Sequence, residues 1–471
     1  MYAMNRLPKA SVVTGVAIAA LLVLVGAGFQ PCKAQTQDPT VTQPSSKIAA
    51  SLNQPSNDVS GSTDPAPPPQ ATGPAGNPQA HASIADRVKT FNRLAPIHES
   101  WTTIDLGAKY VKAVFGGLEQ GASIGLGIQL TTADKLKGVE FRATLLTSAK
   151  LYRRFEGEAY FPKLFSENTH ADVWFDYLRR TKDNFFGIGP TVPNTSMTNY
   201  DIERRVYSGS IYHNFTRRAV LGGYASLANS STYRGERTTD IPIDQLFSGD
   251  PNVVPITKWA PGLMMNTKIL RYGGFGEYDA RDNSRGLTRG GYFYARVGNN
   301  EGLDNKSVFS DYQWFEAEVD GRGYIPIGSN KTSLALRAYA QVKNSMDTSQ
   351  IPFYDMSYLG GRMYVRGFRD YRFRGNNVAL ASAELRQTVW TQNDTRGLDV
   401  FAFGDGGQVW GDNRSQTNPT VLANDKFSSS NYRASVGGGL QYRYNKSLAG
   451  RVELGHSHER NLIYFSITRG F

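Results

Sequence analysis

Residues 362–390 read RMYVRGFRDYRFRGNNVALASAELRQTVW, and the stretch has two unlike halves. From Arg362 to Gly375, five arginines stand among aromatics with Gly367 and Gly375, too cationic and glycine-rich for a regular strand. From Asn377 to Trp390 the chain settles into alternation. Val378, Leu380, Ser382, Glu384 and Arg386 fall on one side, and Ala379, Ala381, Ala383, Leu385 and Gln387 on the other. Successive side chains of a strand point to opposite faces, so Glu384 and Arg386 share one face and small apolar residues fill the other. An apolar outer face with charges inside is the pattern of a β-barrel in lipid. The loop before such a strand must lie in protein or water, never in hydrocarbon.

The same alternation recurs along most of the 471 residues. Phe315, Ala317 and Val319 oppose Glu316, Glu318 and Asp320, while Val452 and Leu454 oppose Arg451 and Glu453. A soluble sandwich also alternates, but its buried face carries larger side chains. Here the apolar face is often Ala, Gly or Leu, and the polar face carries charges that only a wet interior tolerates. After residue 30 no stretch approaches the roughly 20 apolar residues of a spanning helix. The mean hydropathy of −0.42 does not exclude a barrel, because alternation hides lipid-facing residues from any sliding window. The net charge of +11 suggests an anionic partner. Basic residues are nevertheless interleaved with acids and no nucleic-acid signature is present, so no nucleic acid is expected as a partner.

Sixteen antiparallel strands are predicted, at 103–115, 121–131, 139–149, 150–162, 169–181, 201–214, 217–230, 265–281, 289–299, 310–326, 331–344, 377–390, 397–409, 431–444, 447–457 and 462–471. The fold class is therefore an all-β membrane protein, a 16-stranded transmembrane barrel with a long external loop folded into its lumen. Connections at 182–200, 231–264, 345–376 and 410–430 are long, and those near 215–216, 327–330, 391–396 and 445–446 are short. Short turns face the periplasm in bacterial barrels, which places both termini there.

Ahead of the barrel (103–471), residues 1–34 read as an export signal, with Arg6 and Lys9 before the apolar run Val12–Phe29 and an imperfect cleavage site at Cys32-Lys33-Ala34. An uncleaved anchor is the rival reading. Cys32 is the single cysteine, so an intramolecular disulfide is excluded. Residues 35–80, rich in Pro, Gln and Ser, read as a disordered linker. Within 81–102, Ile84, Val88, Phe91 and Leu94 fall on one face of a short amphipathic periplasmic helix.

With the segments placed, the chain resembles the outer-membrane assembly superfamily of BamA and TamA, also called the bacterial surface antigen family. Val365-Arg366-Gly367-Phe368 matches its (V/I)RG(F/Y) signature, which in the family sits on the long sixth external loop folded into the lumen. Phe403-Gly404-Asp405-Gly406-Gly407 matches F-x-D-x-G of the thirteenth strand, and Glu384 with Arg386 matches E-x-R of the twelfth. The resemblance implies that Arg366 latches the loop to Glu384 and Asp405. It also implies that Phe471 belongs to a C-terminal signal read by the barrel assembly machinery. Weaker echoes are Asn184–Gly189 and Asp279–Asp282. The family's insertases carry periplasmic POTRA modules, whereas residues 35–102 offer a linker and a helix. The expectation is a member without such modules, promoting insertion or translocation of outer-membrane components. Its partners would be outer-membrane lipids, protein clients and a periplasmic accessory subunit. A passive channel, a surface antigen and a structural barrel remain as alternatives.

No catalytic residue, cofactor or metal is expected. The chain has no G-x-S-x-G, P-loop or H-E-x-x-H motif. His456-Ser-His458-Glu459 has the composition of a metal site but no evident third ligand of matched geometry, and reads as a solvated turn.

Overall fold

A computed structural model describes residues 102–108, 110–115, 125–132, 138–236, 240–282, 287–304, 311–328, 330–345, 349–411, 426–444 and 449–467. The first strands are β1 (Thr102–Ala108), β2 (Val111–Phe115), β3 (Gly125–Thr131), β4 (Glu140–Ser148), β5 (Arg153–Phe161), β6 (Thr169–Phe185), β7 (Thr198–Asn214) and β8 (Ala219–Arg234). After the two-residue β9 (Ile241–Pro242) come β10 (Asn266–Asp279), β11 (Gly290–Gly302), β12 (Gln313–Pro326) and β13 (Thr332–Ser345). Two three-residue strands follow, β14 (Ser357–Leu359) and β15 (Phe373–Gly375). The chain then runs through β16 (Asn377–Thr391), β17 (Gly397–Trp410), β18 (Arg433–Arg443), β19 (Ala449–His456) and β20 (Asn461–Ile467).

Sixteen of these, β2–β8, β10–β13 and β16–β20, form a nearly closed antiparallel barrel in which each strand pairs with the next. β9 adds to β7 in parallel, and β14 and β15 form a separate two-stranded hairpin. Closing the sheet is what lets every peptide group be satisfied where no water is available.

Burial inverts the usual pattern of a soluble protein. Along β19, Arg451 and Glu453 are buried while Val452 and Leu454 are exposed. On β12, Trp314, Glu316, Glu318 and Asp320 are buried on one face. The exposed side carries Leu126, Ile128, Leu130, Phe155, Leu440, Ile463 and Phe465, an apolar surface that suits hydrocarbon. Inside, carboxylates and guanidinium groups pair. Arg296 reaches Glu316 and Glu318, and Arg337 holds Asp320 through Nε at 3.1 Å and Nη2 at 3.1 Å.

Three expectations need correction. The first strand, expected over 103–115, is two strands, with Thr102 paired to Phe115 and Ala108 to Val111. The reason lies in the pattern itself. Ile104, Leu106 and Ala108 have even parity, whereas Val111, Ala113 and Phe115 have odd parity. One straight strand would carry those two sets on opposite faces, and folding back resolves the conflict. Second, β6 runs to Phe185 rather than ending at 181, through a bulge between Arg180 and Asp183 where Lys182 takes φ 63°. An extra residue at a bulge keeps the pairing going beyond a point where simple alternation breaks. Third, the arginine-rich run is not wholly irregular: Phe373–Gly375 pairs in register with Ser357–Leu359.

The export signal, the linker and the Ile84–Leu94 helix lie outside the described residues, as does Phe471. The outward face makes a direct prediction. Leu454→Arg places a charge in lipid and lowers barrel stability by up to about 2–4 kcal/mol, depending on depth. Leu454→Val, the control, changes it little, and denaturant unfolding in lipid vesicles separates the two.

Candidate functional site

Among the contacts that hold the segment between β13 and β16 to the barrel wall are two charged anchors. At the first, the carboxylate of Asp355 accepts from Arg204 Nη2 at 2.5 Å and from Arg271 Nη2 at 2.8 Å. Those arginines stand on β7 and β10, and Lys343 of β13 donates to the Asp355 carbonyl. Burial pushes the Asp355 carboxyl up, but Arg271, Arg204 and Lys343 more than reverse this and hold it below its ordinary range. Beside this anchor, Phe185, Tyr200 and Phe353 pack edge to face with ring centroids 4.8 and 5.0 Å apart.

The second anchor is Arg366, with β11, β12 and β13 separating its wall strands from β10. Its guanidinium forks onto Asp405 of β17, with Nε to Oδ2 at 2.7 Å and Nη2 to Oδ1 at 2.7 Å. Nη1 donates to Glu384 of β16 at 3.0 Å and to Glu453 of β19 at 2.9 Å. The backbone N–H of Arg366 adds a bond to Asp405 at 3.1 Å, and the planar cation lies 3.3 Å from the ring centroid of Phe403. Arginine suits this position because a flat fork engages a carboxylate bidentately while its face stacks on an aromatic ring. Glu384 is shared further: Arg386 Nε donates at 2.6 Å, and Arg451 Nη2 donates to both its oxygens at 3.1 Å. Arg451 also binds Glu453 at 3.0 Å and lies over Phe401. Three carboxylates thus meet three guanidinium groups in one buried cluster, the arrangement that offsets the cost of desolvating each ion.

The residues flanking Arg366 fix its approach. Gly367 has φ 88°, a conformation that side-chain-bearing residues rarely adopt, and a Cβ there would lie 2.9 Å from the His456 carbonyl carbon. The facing residue is Gly455, where a Cβ would meet the Gly367 nitrogen at 2.7 Å. The backbone of the motif is held by the last hairpin. Gly367 N donates to Tyr464 Oη at 2.9 Å, Tyr464 Oη donates to the Phe368 carbonyl at 3.1 Å, and Ser457 Oγ donates to the Gly367 carbonyl at 2.7 Å. Val365 and Phe368 are fully buried in a cluster with Tyr339, Leu359, Val378, Leu380 and Val409. Gly407 leaves room for that cluster, since a Cβ there would meet Leu359 Cδ1 at 3.0 Å and the Ala379 carbonyl at 2.7 Å.

The structure therefore brings Val365, Arg366, Gly367, Phe368, Glu384, Arg386, Phe403, Asp405 and Gly407 onto one region of the inner wall. Sequence reasoning missed Glu453, Ser457, Tyr464, the whole Asp355 anchor, and Ser382, which donates to Asp405 and accepts from Arg366 Nη2. Glu453 had a signal in the Arg451-Val-Glu453 alternation, which placed it on the inner face but not opposite any particular loop residue. The His456–Glu459 turn divides among separate partners. His456 Nδ1 meets Asn461 at 2.6 Å, His458 lies edge-on to Phe368, and Glu459 accepts from Arg372 at 2.9 Å.

Residues 267–451 match the Omp85 superfamily domain. The fold is similar to that of BamA from Haemophilus ducreyi lacking POTRA domains 1–3, with TM-score 0.55 at 15% identity over 82% of this chain and 77% of that one. CdiB from Escherichia coli aligns with TM-score 0.48 at 14% identity over 82% of this chain and 71% of that one. Residues 267–451 are thus similar to an Omp85 superfamily domain, and the fold of the chain is that of an outer-membrane β-barrel.

Arg366→Ala leaves Asp405 and Glu453 short of a cation in a buried cluster, a loss on the order of 3–5 kcal/mol for the contact. The expected result is a barrel that still folds but shows new protease cleavage between residues 345 and 376. Protection equal to the parent's would remove the latch role from Arg366.

Proposed function

We propose that this barrel promotes insertion or translocation of outer-membrane components, with the segment bearing Val365–Phe368 crossing the lumen as a latched loop. The observation carrying this reading is the direct hold of the Gly367-Phe368 backbone on β20 and on the β19–β20 turn, the last hairpin of the wall. Tyr464 alone touches both Gly367 and Phe368. The sheet ends at β1, which pairs with β2, and at β20, which pairs with β19. A seam there, governed by a loop that grips the terminal hairpin, suits a barrel that opens sideways to admit a strand. On this reading the termini lie at the periplasmic end, and an accessory subunit on that side would deliver clients.

A passive channel is the second reading, favoured by the burial of nearly all side chains from Ile351 to Phe373, which would constrict the lumen. The experiment is reconstitution of the full chain in liposomes with a denatured client barrel, following client protease resistance. Faster client folding than with empty liposomes or an unrelated barrel supports the assembly reading, and Tyr464→Phe should change that rate. Rates equal to the unrelated barrel's, with ion conductance that rises in Arg366→Ala, would replace assembly with the channel.

A further inference from the structure

Beyond the Arg366 cluster, four segments meet at the long-loop end of the barrel: the β6–β7 connection, the loop at Arg372-Phe373, the start of β18 and the β19–β20 turn. Arg372 is 2% exposed. Its Nε and Nη2 donate to Glu459 at 2.9 and 2.8 Å, and Nη2 donates to the Val192 carbonyl at 2.8 Å. Its guanidinium carbon lies 4.4 Å from the ring centroid of Phe373 and 4.8 Å from that of Phe186. Arg433 lies over the same Phe373 ring at 5.1 Å. Its hydrogen bonds run only to carbonyls, from Nη2 to Pro190 at 2.6 Å and from Nη1 to Tyr432 at 3.5 Å.

Two cations therefore share one aromatic ring with one carboxylate, and that carboxylate binds Arg372. Arg372 Nη1 and Arg433 Nε are buried with no acceptor among the described residues. Buried guanidinium N–H groups normally find one, and an anion serves best because it supplies the missing charge as well as the oxygen. A planar carboxylate already fills one edge of Arg372. Two forks on different chain segments are better bridged by a tetrahedral group with several oxygens, which is the chemistry arginine clusters recognise in phosphate.

We propose that Arg372 and Arg433, floored by Phe373, form an oxyanion site that takes a phosphate group. The site stands apart from the Arg366 cluster and does not rest on the assembly reading. Phosphate could arrive free or as a lipid headgroup, and the two sources are separable.

The test uses the full chain in detergent micelles, titrated with inorganic phosphate by calorimetry. Binding should be measurable in the parent and about ten- to a hundredfold weaker in Arg433→Gln, the loss expected for a charge-assisted contact. Arg433→Lys, which keeps the charge but not the fork, should fall between them, and it carries the test if Arg433→Gln fails to fold. In nanodiscs, competition by phosphatidic acid against inorganic phosphate would assign the site to lipid headgroups, and absence of competition would assign it to free phosphate. No binding to the parent, or equal binding in parent and Arg433→Gln, overturns the proposal.

Discussion

A carboxylate taken wholly out of water must be met by cations, and Glu384 is met by Arg366, Arg386 and Arg451. One of these comes from the loop and one from β19, with the third beside Glu384 on β16. The charge requirement of a single buried acid therefore ties the loop to strands far apart in sequence. Removing any one cation leaves the others to hold an excess of negative charge in a place of low dielectric, which makes such clusters cooperative. Asp405 and Glu453 extend the same logic to β17 and the other side of Arg451.

Such a cluster is possible only because the wall is inside out. The outward face of the long strands is given mainly to apolar side chains, and the inward face is free to be polar. In a soluble barrel of the same girth the interior would be filled by aliphatic residues. Here the aromatics of the β13–β16 segment, Tyr358, Tyr364, Phe368 and Phe373, form a small apolar core of their own against Val378, Leu380 and Val409. Polar anchors at Asp355 and Arg366 bracket that core, so orientation comes from charge and cohesion comes from packing.

Most of the wall was legible in the sequence because period-two alternation is a local property. Arg451-Val-Glu453-Leu shows its faces without any knowledge of its neighbours. The first strand escaped because its change of parity between Ala108 and Val111 was passed over as one long segment, although the residues recorded it. The loop contacts escaped for a different reason. Tyr464 and Ser457 reach Gly367 across nearly a hundred residues of chain, and nothing in the pattern around either says what it will touch. Asp355 was equally silent, a lone acid among aromatics whose arginine partners belong to strands formed 84 and 151 residues earlier. The motif residues were read from resemblance, not from periodicity, since Arg362–Gly375 has no regular period.

The hold on the last hairpin bears on how a loop can influence the wall at all. Packing alone transmits little when strands are bonded to two neighbours along their length. The inner face of β20 offers Tyr464 to the loop backbone, so a shift of Gly367 and Phe368 by a fraction of a hydrogen bond must be felt there first. The close approach of Gly367 to Gly455 leaves no side chain between loop and strand to absorb such a shift. The two Tyr464 bonds act together with Ser457, which donates to the Gly367 carbonyl, and with Arg366, which binds Glu453, so loop and hairpin are tied by several contacts at once. A change in the loop can therefore reach the edge of the sheet through side chains as well as through packing.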